Sequence, residues 1–396
     1  MEAYSGKARS GSSRGTYWIL VILETYIPRP DIEARVLANV ESGKKATMLL
    51  GPRGSGKTTL LRRVRSLIGK SRPTALIQIE PIAASPEILC ERFLHIAREA
   101  LSPGSSRSSR TSRPGAFKRF VSSFSKAKPR AVLLLDDITE LRTLSYFPGV
   151  EKPLESVLEA LSKKQAPDCV VTSRFPAWVA SSFSDLSNTA RAHFEVVDIP
   201  PLRTDQLGTD ALNGGEGLVA ATGGLPVHIV PLIARLKDGD DLPTALAAEM
   251  TDRGQLEVEC RATLGQLLHR ARGYGACKAV LHVLAEEEGL RLTDIARRLE
   301  RTPGSARDYL RWLEEVDLIT VREKRFFFVD PVLRLWLRLY GRGEFPSRGI
   351  IRAEVERHLS QNLPGEPPRE TVPTTPHEEH ELPAPIAREE DLMEID

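Results

Sequence analysis

The sequence predicts an α/β protein: a three-layer α/β/α domain on a parallel sheet, a helical region after it, and a small module of three helices and a hairpin. Three observations lead there. From residue 46 to 199, short apolar runs alternate with helix-period segments, the pattern of a parallel sheet covered on both faces. A glycine-rich loop joins the first apolar run to a helix. After residue 276 the pattern becomes three short helices and two strands, the order of a winged helix-turn-helix.

The elements follow in order. Residues 1–16 are rich in Ser, Gly, Lys and Arg and are expected to be disordered. Tyr17–Leu23 is apolar, but seven residues fall far short of the ~20 that span a bilayer. Basic residues precede it as in a signal peptide, yet no small-residue cleavage site follows; it is read as a strand or helix on the core. Tyr26–Val40 reads as a Pro-containing turn and an amphipathic helix. Ala46–Leu50 reads as a buried strand, and Thr59–Ile68 as a helix with Gly69 as its cap. Ala75–Glu80 reads as the second strand and residues 86–101 as a helix. Ser102–Gly115 is low-complexity and reads as a loop.

Ala131–Leu135 is a continuous apolar run, hence a strand buried on both faces, and it delivers Asp136 and Asp137 at its end. Cys169–Arg174 and Phe194–Ile199 are the remaining strands of the sheet. Residues 203–272 are helical, interrupted at Gly214-Gly215 and at Thr222-Gly223-Gly224-Leu225-Pro226, where Pro226 starts a helix. Lys278–Glu287 is one helix, Thr293 caps a second, and Thr302-Pro303 opens a third with Tyr309, Leu310, Leu313 and Val316 as its apolar stripe. Two strands joined at Glu323-Lys324 complete the module. Asp330-Pro331 starts a further helix and residues 349–361 form a last one. From Pro364 the chain is Pro- and Glu-rich and is expected to be a disordered acidic tail.

The chemistry centres on Gly51-Pro52-Arg53-Gly54-Ser55-Gly56-Lys57-Thr58-Thr59, which fits G-x-x-x-x-G-K-[ST]. Glycines let the backbone curl so that successive N–H groups face phosphate oxygens. Lys57 supplies a charge for the β- and γ-phosphates, and the Thr58 hydroxyl a ligand for Mg²⁺. The following helix turns its positive end to the anion. Roughly 75 residues past Lys57, Asp136 is placed to hold Mg²⁺ and Asp137 to orient or deprotonate the attacking water. Thr172 and Ser173, at the same sheet edge, are expected near that water, and Arg174 near the γ-phosphate.

Composition is that of a globular protein, 41% hydrophobic and 27% charged. Four cysteines (Cys90, Cys169, Cys260, Cys277) lie far apart without CxxC spacing, which argues against zinc and disulfides and suits a cytoplasmic setting. Net charge is +2, but ten acidic and two basic residues follow from Glu366 onward, so the body is about ten charges positive. A basic body is compatible with nucleic acid. The third module helix is expected to expose Arg301, Ser305, Arg307, Asp308 and Arg311.

Tyr-Ile-Pro-Arg-Pro, Gly-Pro-Arg-Gly-Ser-Gly-Lys-Thr-Thr, Leu-Leu-Leu-Asp-Asp, Val-Thr-Ser-Arg, Gly-Gly-Leu-Pro and Val-Asp-Pro-Val-Leu-Arg-Leu-Trp, in this order over roughly residues 26–340, resemble a prokaryotic AAA+/STAND-type P-loop ATPase of the archaeal-type group. The resemblance implies an ASCE/AAA+-like sheet with a helical lid and a C-terminal winged helix. It also implies that Arg29 lies near the adenine, that Pro226 stacks on the base, and that Arg174 is the sensor of the γ-phosphate. Two residues depart from the pattern: Pro28 precedes Arg29 where Gly is usual, and Asp137 replaces the common Glu, which suits slow turnover. No arginine finger stands out.

The expected division is an N-terminal extension (1–25), a P-loop NTPase core (26–200), a helical lid (201–275), a winged helix (276–345) and a helix with acidic tail (346–396). The expected function is an ATP-binding, slowly hydrolysing Mg²⁺-dependent switch that repositions the winged helix. The alternatives are an ATP-regulated DNA-binding protein, using the winged helix and basic body, and a scaffold that holds nucleotide structurally. ATP and ADP are the expected ligands, with DNA, a protein partner or self-association beside them and no membrane.

Overall fold

The structure is a computed structural model that describes residues 26–43, 46–102, 113–207, 215–268, 273–343 and 345–363. The apolar run 17–23, the arginine-rich segment 103–112 and the acidic tail lie outside the described residues.

Helix α1 (Pro30–Ser42) starts on a proline and stops at Gly43, which turns left-handed (φ 61°). It leads to β1 (Ala46–Leu50), buried along its whole length. Helix α2 (Lys57–Ile68) follows the loop and buries Leu60, Leu61, Val64 and Ile68. Then come β2 (Thr74–Gln78) and α3 (Pro86–Ile96), whose first turn is capped by Ser85 Oγ accepting from Ile88 N–H at 3.3 Å.

Helix α4 (Arg113–Ser122) corrects the sequence reading, which left Arg113–Gly115 in a loop. Polar low-complexity sequence hides its start, but Phe117, Phe120 and Phe124 bury beyond it. Phe120 packs edge-on against Phe93 of α3 with ring centroids 4.7 Å apart. The core finishes with β3 (Val132–Asp136), α5 (Pro153–Leu161), β4 (Asp168–Ser173), α6 (Pro176–Ser184), α7 (Asn188–His193) and β5 (Phe194–Asp198).

All five strands are parallel, in the order β2-β3-β4-β1-β5. One strand, β4, therefore separates the loop strand β1 from the acid-bearing strand β3. Register sets Leu50 beside Ser173 and Asp198, and Gln78 beside Asp136. The C-terminal ends thus share one edge, where ligands of parallel sheets bind. Separate apolar clusters cover the two faces, which makes three layers.

The helical region contains α8 (Gly215–Thr222), α9 (Pro226–Lys237), α10 (Leu242–Glu249) and α11 (Gln255–Leu268). Gly224 (φ 70°) makes the turn into α9; a Cβ there would sit 2.6 Å from Leu202 O. The module contains α12 (Tyr274–Glu286), β6 (Leu290–Arg291), α13 (Leu292–Arg298), α14 (Pro303–Glu315), β7 (Ile319–Arg322) and β8 (Arg325–Phe328). That order, with the antiparallel sheet β6-β8-β7, is the order of a winged helix-turn-helix.

Thr302 caps α14 as its sequence suggests, accepting from Ser305 N–H at 3.3 Å. Thr293 does not cap α13: the helix begins one residue earlier, and Asp294 accepts from Arg291 N–H at 3.4 Å. Glu323 and Lys324 both take left-handed backbones (φ 50° and 62°), the tight turn the hairpin requires. Helices α15 (Pro331–Tyr340) and α16 (Arg348–Asn362) close the described chain.

One apolar core runs through the helical region, the module, α15 and α16, and Phe175, just past β4, belongs to it. The buried His358 of α16 lies with Nε2 2.8 Å from Ala221 O of α8. All four cysteines are buried free thiols. Among the described residues no helix is long and apolar enough to cross a membrane.

Candidate active site

The loop after β1 is shaped by two left-handed glycines, Gly54 (φ 79°) and Gly56 (φ 93°). Only glycine takes such angles without strain. Gly54 has a second reason: a Cβ there would lie 2.3 Å from Val227 Cγ1. Helix α9 docks on the loop at this point, with Val227 N–H donating to Gly54 O at 3.2 Å. Pro226, the first residue of α9, lies against Gly56.

Lys57 is buried, and its ammonium donates to Gly51 O at 2.6 Å and Pro52 O at 2.8 Å. Burial lowers its pKa to about 8, while Asp137 and Asp136 pull it upward. Thr58 Oγ1 donates to Asp136 Oδ2 at 2.7 Å. Asp136 Oδ1 accepts from Thr172 Oγ1 at 2.8 Å, and the same hydroxyl oxygen accepts the Asp137 N–H at 2.8 Å. Thr172 is thus fully buried and fixes the Asp136 carboxylate and the Asp137 backbone. Ser173 is likewise engaged, its Oγ accepting from Phe175 N–H at 3.0 Å.

Asp137 takes a left-handed backbone (φ 58°), an uncommon conformation for a residue with a Cβ. Its carboxylate lies 2.5 Å from Arg174 Nη2 and accepts from Thr139 Oγ1 at 3.0 Å. Burial raises its pKa, and the Arg174 charge opposes that rise. The same Arg174 nitrogen is 3.0 Å from Glu140 and 3.3 Å from Glu80. Three carboxylates therefore converge on one guanidinium, and Arg174 Nε makes no hydrogen bond among the described residues.

Arg29 lies at the site, but its guanidinium holds carbonyls: Nη1 donates to Pro200 O at 2.6 Å and Nη2 to Ser55 O at 3.4 Å. Arg53 points the other way, into the helical region. Its Nε donates to Glu259 Oε1 at 3.0 Å and its Nη1 to Gln266 Oε1 at 2.5 Å, both on α11. The result is a cleft of ≈ 1140 Å³ whose wall includes Arg29, the loop from Arg53 to Thr59, Asp136, Asp137, Arg174 and Pro226. Gly51 and Pro52 lie beneath it, their carbonyls taken by Lys57.

Sequence reasoning missed Glu80 and Glu140, though Glu80 carried a signal: it follows β2 at the same sheet edge as Asp136. Glu259 and Gln266 carried none, since they reach the loop from more than 200 positions away. Asp317, just past α14, is a further surprise. Burial raises its pKa to about 7 against the pull of Lys57, and its Oδ2 has no hydrogen-bond partner among the described residues.

The donor set suits Mg²⁺. One carboxylate and one hydroxyl are hard oxygen ligands, and Mg²⁺ binds through one or two carboxylates with waters and substrate phosphates completing its shell. Among the described residues no cluster of three or more His, Cys, Asp or Glu offers an all-protein metal cage.

Glycine loop, lysine, acidic strand end and strand order together make an AAA+-like P-loop NTPase fold. Residues 40–172 match the family model described as AAA domain. Among solved structures the chain is similar to the Walker-type ATPase of Pyrococcus abyssi, with 18% identity and a TM-score of 0.60, covering 80% of this chain and 97% of that one. It is also similar to Cdc6p from Pyrobaculum aerophilum (14% identity, TM-score 0.38, 87% and 98% covered). AMPPCP-bound DnaA from Aquifex aeolicus gives 14% identity and a TM-score of 0.35, with 72% and 86% covered. No curated protein matches the chain.

Proposed function

We propose that this protein is an ATP-binding, slowly ATP-hydrolysing switch whose nucleotide state repositions the winged-helix module. The observation that carries the reading is the anchoring of the loop to the helical region. Arg53 is held by Glu259 and Gln266, and Gly54 lies under Val227. Any shift of the loop around a triphosphate moves those contacts. They lead on to the module: His228, next to Val227, lies with Nε2 2.7 Å from Asp330 Oδ2, and Asp330 caps α15.

In this reading Lys57 binds the β- and γ-phosphates, and Thr58 and Asp136 hold Mg²⁺, which would neutralise phosphate charge when bound. Asp137 orients the attacking water once Arg174 shifts toward the γ-phosphate. The Arg29 clip fixes the loop near the base, and Pro226 and Thr59 complete the nucleotide wall. Asp137, already partnered by Arg174 and Thr139, activates water poorly until that shift, which suits slow turnover.

Hydrogen exchange with and without ATP tests the reading. Residues 255–268 and 319–328 should change protection in the wild type. Arg53→Ala should keep ATP affinity within about tenfold and lose the change at 255–268, because its guanidinium is engaged with Glu259 and Gln266 of α11. A wild type with no nucleotide-dependent change in either segment would remove the switch.

A second test uses pH. A phosphate beside Lys57 favours its charged form, so binding above pH 8 requires proton uptake. ATP affinity should be flat from pH 7 to 8 and fall by about tenfold per pH unit well above it. Calorimetry in buffers of different ionisation enthalpy reads the proton directly; no uptake at pH 9 would separate Lys57 from the anion.

One observation favours a second reading, an ATP-regulated DNA-binding protein. Arg307 and Arg311 on α14 and Arg322, Lys324 and Arg325 on the hairpin are all exposed on the module. A mobility-shift assay at low and moderate salt tests it: binding that weakens with salt supports this reading, and no shift at low salt ends it.

A further inference from the structure

A second cavity, of ≈ 1110 Å³, opens on the outer side of α2 toward the free edge of β2. It does not contain the loop glycines, Asp136 or Asp137, and its place in the fold differs from that of the module. Its wall is cationic. Arg63 and Arg72 are neutralised by Glu33 and Asp168. Arg62, Arg65 and Lys70 are not: among the described residues no carboxylate lies within ion-pair distance of them. One acid, Glu99, lines the cavity against these charges.

The rest of the wall joins an aromatic ring and apolar side chains with the hydroxyls of Thr59, Ser66, Ser71 and Thr74. Tyr26 presents a ring whose hydroxyl is fixed by donating to Glu33 at 2.6 Å, and Pro73 and Leu76 line the same cavity. Cations without carboxylate partners beside an aromatic ring suit a chain of phosphates carrying flat bases. A run of glutamates would use the charges but leave Tyr26, Pro73 and Leu76 without a matching group. The volume is that of a ligand pocket rather than of a flat charged face.

We propose that this cavity binds phosphodiester-linked nucleotides, seating about two units of a single strand or short oligonucleotide with the phosphates on Arg62, Arg65 and Lys70 and a base on Tyr26. The site stands independently of the switch reading. It also meets the nucleotide cleft, because Tyr26, Thr59 and Arg62 line both. Occupancy of one therefore bears on the other through shared walls.

The test is fluorescence anisotropy of labelled dT4 and dT20 on the full chain, from 50 to 200 mM salt, with ATP-analogue binding measured alongside. The variant is Arg65→Gln with Lys70→Gln, both exposed and outside the nucleotide cleft. It should lose at least tenfold in oligonucleotide affinity, lower the slope of log K against log salt by about 1.4, and bind the ATP analogue as the wild type does. Lys70→Gln alone should lower the slope by about half as much, which guards against a folding defect in the double variant. Comparable binding of dT4 and dT20 assigns the site to short oligonucleotides; binding of dT20 alone assigns it to a longer strand. Wild-type affinity in the double variant overturns the proposal. So does loss of binding in Arg307→Gln with Arg311→Gln instead, failure of the wild type to bind either probe, or competition by a polyglutamate peptide equal to that by dT20.

Discussion

Lys57→Met is expected to abolish ATP binding while leaving the unliganded protein at least as stable as the wild type. The two halves have one cause. The ammonium is buried on backbone carbonyls, and burial holds its pKa at about 8 against the ordinary 10.5. For a base with a lowered folded pKa, the penalty is fully present below about pH 8 and fades as pH rises toward the unfolded value. At pH 7 it amounts to on the order of 3 kcal/mol, offset in part by the hydrogen bonds to Gly51 and Pro52. Methionine removes the charge and keeps most of the volume. The melting temperature without nucleotide should therefore not fall. The upward shift given by excess ATP in the wild type, about 2.7 kcal/mol at a hundred times Kd, should vanish. Asp137→Asn is the contrasting case, since it should keep that shift and lose turnover. An ATP-induced shift of wild-type size in the Lys57 variant would refute the site assignment.

Arg174→Met should be among the most destabilising single changes in the protein. It removes the cation that Asp137 and Glu140, both largely buried, share, and removal of one partner of a buried ion pair costs about 3–5 kcal/mol. Glu80 is 42% exposed and adds little, because water screens it. The sign with pH follows from the acids. Buried carboxylates without a cation have raised pKa values, so the folded state gains protons as pH falls and recovers stability. Urea denaturation should show the deficit in full at pH 7.5 and a smaller one at pH 5. Adding Glu140→Gln should restore part of it at pH 7.5. A deficit below about 1 kcal/mol at pH 7.5 would mean that Arg174 does not neutralise this cluster.

The loop and the sheet were legible because local sequence dictates them. Gly54 and Gly56 need left-handed backbones, and Val132–Leu135 needs burial on both faces. What the sequence hid was which partner each polar group takes. Thr172 looked like a group free to meet water because it ends a strand at the ligand edge. Its hydroxyl instead donates to the Asp136 carboxylate at the end of β3 and accepts the Asp137 backbone N–H just past it, a relation set by strand order. Arg53 fits the loop motif as a variable position, and nothing local reveals that Glu259 and Gln266 await it on α11. Helix α4 was missed for the opposite reason. Its first residues continue a polar, low-complexity run, and only the phenylalanines past them carry the helical signal.

The two residues at the start of α9 also say something about stiffness. Val227 bonds to the phosphate loop, and His228 meets the acid that caps α15. These are neighbours along the chain, joined by a single peptide unit with no freedom to stretch. A spring between the loop and α15 would need compliant length, and none exists here. In the proposed switch, relative motion of the two contacts would come from rotation of α9 as a rod, and the backbone placed to absorb it is the pair of left-handed glycines, Gly223 and Gly224, just before its N-cap Leu225. In that reading α9 would act as a crank with one bearing, and a bulkier residue at either glycine would seize both ends at once.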